Sequence, residues 1–194
     1  MSETLITQRI HDSIAVKSAI SIDPDLIRQI SEVAAHITAT FSQEGKVLLC
    51  GNGGSAADAQ HLAAEFSGRF YFDRDPLFAE ALHANSSYIT AVANDYSYDE
   101  IYARLIKAKG RKGDILIGIS TSGNSENIIR AFREARSRGM LTVALTGKTG
   151  GKMKNEADIL LNVPSDDTPR IQESHILIGH IICEIVEANL FKAQ

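Results

Sequence analysis

Cysteine is scarce in this 194-residue chain. Its two, Cys50 and Cys183, stand inside apolar runs with no CxxC or Cys/His pattern around them. That excludes a disulfide or thiolate-metal framework and predicts two reduced core thiols in a reducing compartment. Charge of one sign is lacking too: 20 Lys and Arg are scattered among 24 Asp and Glu, for a net charge of −4. Neither a basic stripe for nucleic acid nor a patch for a membrane surface is suggested, and the expected partner is a small molecule. The N-terminal segment MSETLITQRIHDSIAV has no unbroken apolar run, since Glu3, Gln8, Arg9, His11 and Asp12 interrupt it. Such a segment is no signal-peptide core or membrane span, and a soluble cytoplasmic protein is expected. Low-complexity tracts and domain linkers are absent as well, so residues 1–194 are read as one domain.

What is present is a regular alternation. Two amphipathic helices are predicted first, over Glu3–Ala19 and Asp25–Phe41, with Asp23 and Pro24 as N-cap and first-turn pair of the second. Five short apolar runs follow: KVLLC, PLFAEALHA (spoiled by Glu80), DILIGIS, LTVALT and ADILLNV. Helix-compatible segments or loops separate them, clearly at Ala56–Gly68, Ser125–Arg138 and Pro169–Leu190, less clearly over Ser87–Lys107. Buried strands alternating with helices predict an α/β fold, a parallel sheet covered on both faces.

Two stretches share a plan, VLLCGNGGSAADAQ and ILIGISTSGNSENI: strand, small-residue loop, helix. Small residues let backbone N–H groups approach a ligand, and the helix N-terminus adds partial positive charge, so each loop is a candidate anion site. The hydroxyls of Ser120, Thr121, Ser122 and Ser125 make the second loop the better phosphate candidate. Gly51-Asn52-Gly53-Gly54-Ser55-Ala56 also fits G-x-G-x-x-A, but the acid that should hold a ribose at the end of the next strand is replaced by Leu82-His83-Ala84. Gly147-Lys148-Thr149 lacks the leading glycine of a P-loop and reads as a turn after a strand.

On the helix after the first loop, His61 and Glu65 share a face, a spacing that suits metal ligands, an acid–base pair or a plain surface pair. The last helix is apolar on most sides yet carries Gln172, Glu173, His175 and His180, and buried polar groups need partners. Helical spacing allows either Gln172 or Glu173 to share a cavity with His180.

Taken together, CGNGGSAADAQHLAAEFSGRF, AVANDYSYDE, GISTSGNSENI, TGKTGGKM and DTPRIQESHILIGHIICE are similar to the phosphoheptose isomerases of the sugar isomerase (SIS) family, a resemblance covering essentially the whole chain. It implies a three-layer αβα sandwich with a five-stranded parallel sheet of flavodoxin-like SIS type and extra N-terminal helices. It further implies aldose–ketose isomerisation of D-sedoheptulose 7-phosphate to D-glycero-D-manno-heptose 7-phosphate, the opening step towards nucleotide-activated heptose for bacterial surface polysaccharides. By the same resemblance Glu65 and His180 are acid–base catalysts, and one zinc ion per subunit is held by His61, Glu65, Gln172 and His180. Substrate contacts fall on Asn52, Gly53, Gly54, Glu65, Asn94, Asp95, Ser120, Thr121, Ser122, Ser125 and Gln172. A homotetramer with shared active sites is implied too, for which the apolar stripe Leu5, Ile6, Ile10, Ile14 and Ala15 would supply buried surface. The segment Glu80–Ser87, with His83 and Asn85, departs most from the family pattern. The rival reading is a non-catalytic SIS protein that binds the replication initiator, but such relatives lack the glutamate matching Glu65.

Overall fold

A computed structural model describes residues 2–191. Two helices lead, α1 (Ser2–Ser21) and α2 (Pro24–Ser42). The Asp23 carboxylate accepts the N–H groups of Asp25 and Leu26 and so caps α2 at its Pro24 start. The rest of the chain alternates: β1 (Val47–Gly51), α3 (Gly54–Ser67), β2 (Ala79–Ala81), α4 (Ser86–Asp95), α5 (Ile101–Lys109), β3 (Ile115–Ser120), α6 (Glu126–Ser137), β4 (Leu141–Thr146), β5 (Ile159–Asn162) and α7 (Thr168–Phe191). All neighbouring strands pair in parallel, in the order β2-β1-β3-β4-β5, the doubly wound order of flavodoxin-like sheets.

Strands this apolar form because both sheet faces are covered. Leu49, Ile117 and Leu145 enter one core with residues of α2, α3 and α7. Their neighbours Leu48, Leu116 and Ala144 enter a second core with residues of α5 and α6. The result is the expected αβα sandwich. Cys50 and Cys183 are free and buried, and burial pushes both thiols up, which leaves them unreactive.

Three expectations are sharpened. Of PLFAEALHA only Ala79–Ala81 joins the sheet, as an edge strand whose Glu80 pairs with Lys109. The ambiguous stretch 87–107 is two helices, α4 and α5, separated by a 3-10 turn over Tyr98–Glu100. On α1, Leu5, Ile6, Ile10 and Ile14 remain 54–59% exposed, so this chain alone does not bury the stripe. α7 is long and apolar enough to cross a membrane by length and composition. Here it is a core helix: Ile171, Ile178, Ile182 and Val186 pack in the first core, and His175 and Glu187 on it are buried.

Candidate active site

At the carboxyl ends of β1 and β3 the chain departs in two directions. α3 goes to one face of the sheet and α6 to the other, which opens a crevice at the topological switch point. Both helices begin there without a side-chain cap, at Gly53 and Ser125, whereas Asp23 and Asn85 cap α2 and α4. Their first N–H groups are therefore available to an anion. Gly53 has φ +56°, which favours glycine. In the second loop the Ser120 and Ser125 hydroxyls lie 2.9 Å apart, and Ser122 Oγ accepts the Asn124 N–H. Thr121 and Ser122, with Lys148 and Thr168, help to line a cavity of about 280 Å³. The TGKTGGKM segment buttresses this loop, since the Met153 N–H donates to Gly123 O (2.9 Å) and the Lys152 N–H to Asn124 Oδ1 (3.1 Å).

His61 lies seven residues beyond Gly54, about 10 Å along the α3 axis. Its Nε2 is 2.9 Å from Glu65 Oε1 and 3.3 Å from His180 Nε2, so the two helices bring this trio together. They can do so because α3 and α7 touch where Leu62 meets Gly179: a Cβ on Gly179 would fall 2.5 Å from the Leu62 methyls. Phe70 closes the other side of His180, ring centroids 5.7 Å apart.

The structure separates Gln172 from Glu173. The Gln172 carboxamide rests on the start of α3, where a Cβ on Gly54 would lie 2.5 Å from its Nε2. Glu173 turns to α1 instead, accepting from Ser13 Oγ at 2.7 Å and pairing with Arg170. Gln172 therefore sits at the phosphate-loop end of the site, two helical turns from His180. His175 is a core residue outside the site. Its Nε2 lies 3.1 Å from Thr146 O, its buried Nδ1 has no hydrogen-bond partner, and burial lowers its pKa to about 4. Asn94 and Asp95 are exposed at the end of α4 and hydrogen-bond to each other at 2.9 Å. His83, with Asn52, Gly53, Ser86 and Tyr98, lines a cavity of about 270 Å³ beside the first loop, and burial lowers its pKa.

Four residues at or behind the site escape a sequence reading. Asn127 and Tyr98 both hydrogen-bond to Asn52. Asp58, one turn before His61, has a buried Oδ2 without a hydrogen-bond partner, and burial raises its pKa against the pull of His61. Arg74 caps the end of α3, donating to the carbonyls of Glu65, Phe66 and Gly68.

His61, Glu65 and His180 form a group that could hold a metal, their ligand atoms all within 4.8 Å of one another. Two imidazole nitrogens and a carboxylate oxygen suit a borderline-soft divalent ion that keeps a position open for substrate oxygen.

The chain has known relatives over nearly its whole length. Residues 15–147 match the family model for the SIS domain. A phosphoheptose isomerase of Aneurinibacillus thermoaerophilus is 52% identical over 187 residues, which cover 96% of this chain and 94% of that protein. The chain belongs to the phosphoheptose isomerase family. A second member of the family, from Burkholderia pseudomallei, is 51% identical over 191 residues, 98% of this chain and 97% of that one. The phosphoheptose isomerase structure from Neisseria gonorrhoeae superposes with a TM-score of 0.91 at 41% identity, covering 97% of this chain and 100% of that one.

Proposed function

We propose that this chain is an aldose–ketose isomerase that converts D-sedoheptulose 7-phosphate to D-glycero-D-manno-heptose 7-phosphate. The observation that carries the reading is the Glu65–His61–His180 trio, set two helical turns along α3 from an uncapped glycine loop that faces an uncapped, hydroxyl-rich second loop, in a chain half identical to phosphoheptose isomerases. The phosphate is held at Gly53, Gly54, Ser120, Thr121, Ser122 and Ser125. The sugar chain then runs along α3 to place C1 and C2 at the trio, with Asn52, Gln172, Asn94 and Asp95 contributing to its binding.

The reaction moves a carbonyl from C2 to C1. Glu65 removes the C1 proton, the C–H electrons form the C1–C2 double bond, and the former carbonyl oxygen on C2 takes a proton from His180. The O1 hydroxyl then gives its proton to His180, the C1 carbonyl forms, and Glu65 returns its proton to C2. No atom is gained or lost. A base positioned for such transfer contributes about 10²- to 10⁴-fold. His61, Glu65, Gln172 and His180 would hold one zinc ion per subunit, which when bound polarises the substrate oxygens as a Lewis acid. In this structure the Gln172 carboxamide rests on Gly54, so Gln172 would have to leave that position to join the other three ligands.

We read the whole chain, 1–194, as one cytoplasmic SIS domain acting on a small phosphosugar, with no nucleic acid or membrane partner. The exposed stripe of α1 packs against further copies of the chain in a homotetramer. The reading is tested by incubating metal-stripped protein with sedoheptulose 7-phosphate, with and without zinc, and following aldose formation. Turnover on zinc addition supports it. A protein inert in both conditions overturns the reading and favours a binding role.

A further inference from the structure

The two anion loops and the segment after α4 meet at one side chain. Asn52 Nδ2 donates to Asn127 Oδ1 at 3.0 Å, and Asn127 Nδ2 donates back to Asn52 Oδ1 at 2.9 Å. Tyr98 Oη, in the 3-10 turn three residues beyond Asp95, donates to the same Asn52 oxygen at 3.0 Å. A carboxamide oxygen has two lone pairs, so this one is fully used, and one Asn52 N–H remains. The Asn52 side chain is therefore committed to holding the loops, and a ligand in the crevice meets the backbone beside it.

Asn127 is 2% exposed at the start of α6, a helix that otherwise buries Ile128, Ile129, Ala131, Phe132 and Ala135. An amide in such surroundings is costly unless both its ends are paired, and an aliphatic side chain would pack there at lower cost. Its two partners are both on Asn52, across the switch point, and none lies within its own helix. The reciprocal amide pair fixes the spacing between the N-termini of α3 and α6. Tyr98 ties to that pair the turn following Asn94 and Asp95.

We propose that the side chains of Asn127 and Tyr98 are positioning groups for phosphosugar binding, acting through Asn52 to hold three substrate-binding segments in register without themselves touching the substrate. The inference deepens the isomerase reading and rests on it for the identity of the ligand, but the phosphate-binding arm of its test stands apart from turnover. Asn127→Ala, Tyr98→Phe and the double variant are compared with wild type in steady-state kinetics on sedoheptulose 7-phosphate, in calorimetric binding of inorganic phosphate, and in zinc binding.

Asn127→Ala is expected to raise KM and the phosphate Kd about tenfold, the loss of one to two net hydrogen bonds. The fall in kcat is smaller, and zinc affinity at the trio is unchanged. Tyr98→Phe gives a smaller rise, about threefold. Because both act through one side chain, the double variant falls short of the product of the two. Phosphate Kd and KM within twofold of wild type in folded variants would overturn the proposal. Should Asn127→Ala fail to fold, the half-exposed Tyr98→Phe still decides it. If wild type binds phosphate but turns over no heptulose phosphate, the isomerase reading fails while the phosphate comparison still judges the loop coupling.

Discussion

Arg74 and Glu187 form an ion pair at 2.9 Å with both side chains only 2% exposed, and the pair closes the end of the helix that carries Glu65. Glu187 also accepts the N–H groups of Phe70, Tyr71 and Phe72, while Arg74 donates to the carbonyls of Glu65, Phe66 and Gly68. One buried carboxylate thus fixes the strap that presses Phe70 on His180, and its partner fixes the last turn of α3.

Removing one member leaves the other charge buried. Glu187→Ala is expected to cost about 3–5 kcal/mol in urea unfolding. Burial opposes ionisation of Glu187, but the three backbone N–H groups and Arg74 outweigh it, so its folded pKa lies below the ordinary range. This stability is present above the unfolded carboxylate pKa and lost as pH falls through the folded one. The variant should therefore lose less stability on acidification than wild type does. An unfolding midpoint within experimental error of wild type would show that the strap is held by other contacts.

His175 predicts a second pH dependence. Its folded pKa of about 4 lies below the value of about 6.5 for an unperturbed histidine, so between the two the unfolded chain binds the proton more readily. Stability falls as pH drops through this window, by up to about 3 kcal/mol. Unfolding curves from pH 7 to 4.5 should be flatter for His175→Leu than for wild type. Parallel curves would remove His175 as the cause.

The sheet was legible from sequence because short continuous apolar runs, each bounded by turn residues and separated by helical segments, are satisfied by strands buried on both faces, as Leu48 and Leu49 illustrate by entering opposite cores. The trio was legible in part: His61 and Glu65 declare themselves by helical spacing, but only the Leu62–Gly179 contact brings His180 to them. Gln172 could not be told from Glu173 because the choice is made by α1, whose Ser13 draws Glu173 away. Asn127 and the Arg74–Glu187 pair were invisible because their partners are 75 and 113 residues distant, and no local pattern encodes such pairing.

Two glycines at the site should fail differently. At Gly54 an added methyl meets only the end of the flexible Gln172 side chain, so Gly54→Ala should fold normally and raise KM by displacing that carboxamide. At Gly123, with φ +65°, the methyl would lie 2.2 Å from the backbone oxygen of Gly150. Gly123→Ala should cost on the order of 1–3 kcal/mol and disorder the serine loop. Thermal melts beside kinetics separate the two, and equal loss of stability in both would contradict the assignment of Gln172 to the site.

The most direct test of the central claim is the rate of aldose formation from sedoheptulose 7-phosphate by wild type and by Glu65→Gln, with inorganic phosphate binding measured on the same preparations. Turnover by wild type, a loss of about 10²-fold or more in the variant, and unchanged phosphate binding are predicted. A Glu65→Gln enzyme that keeps a near-normal rate would contradict the proton-transfer role of Glu65 and, with it, the mechanism built on the trio.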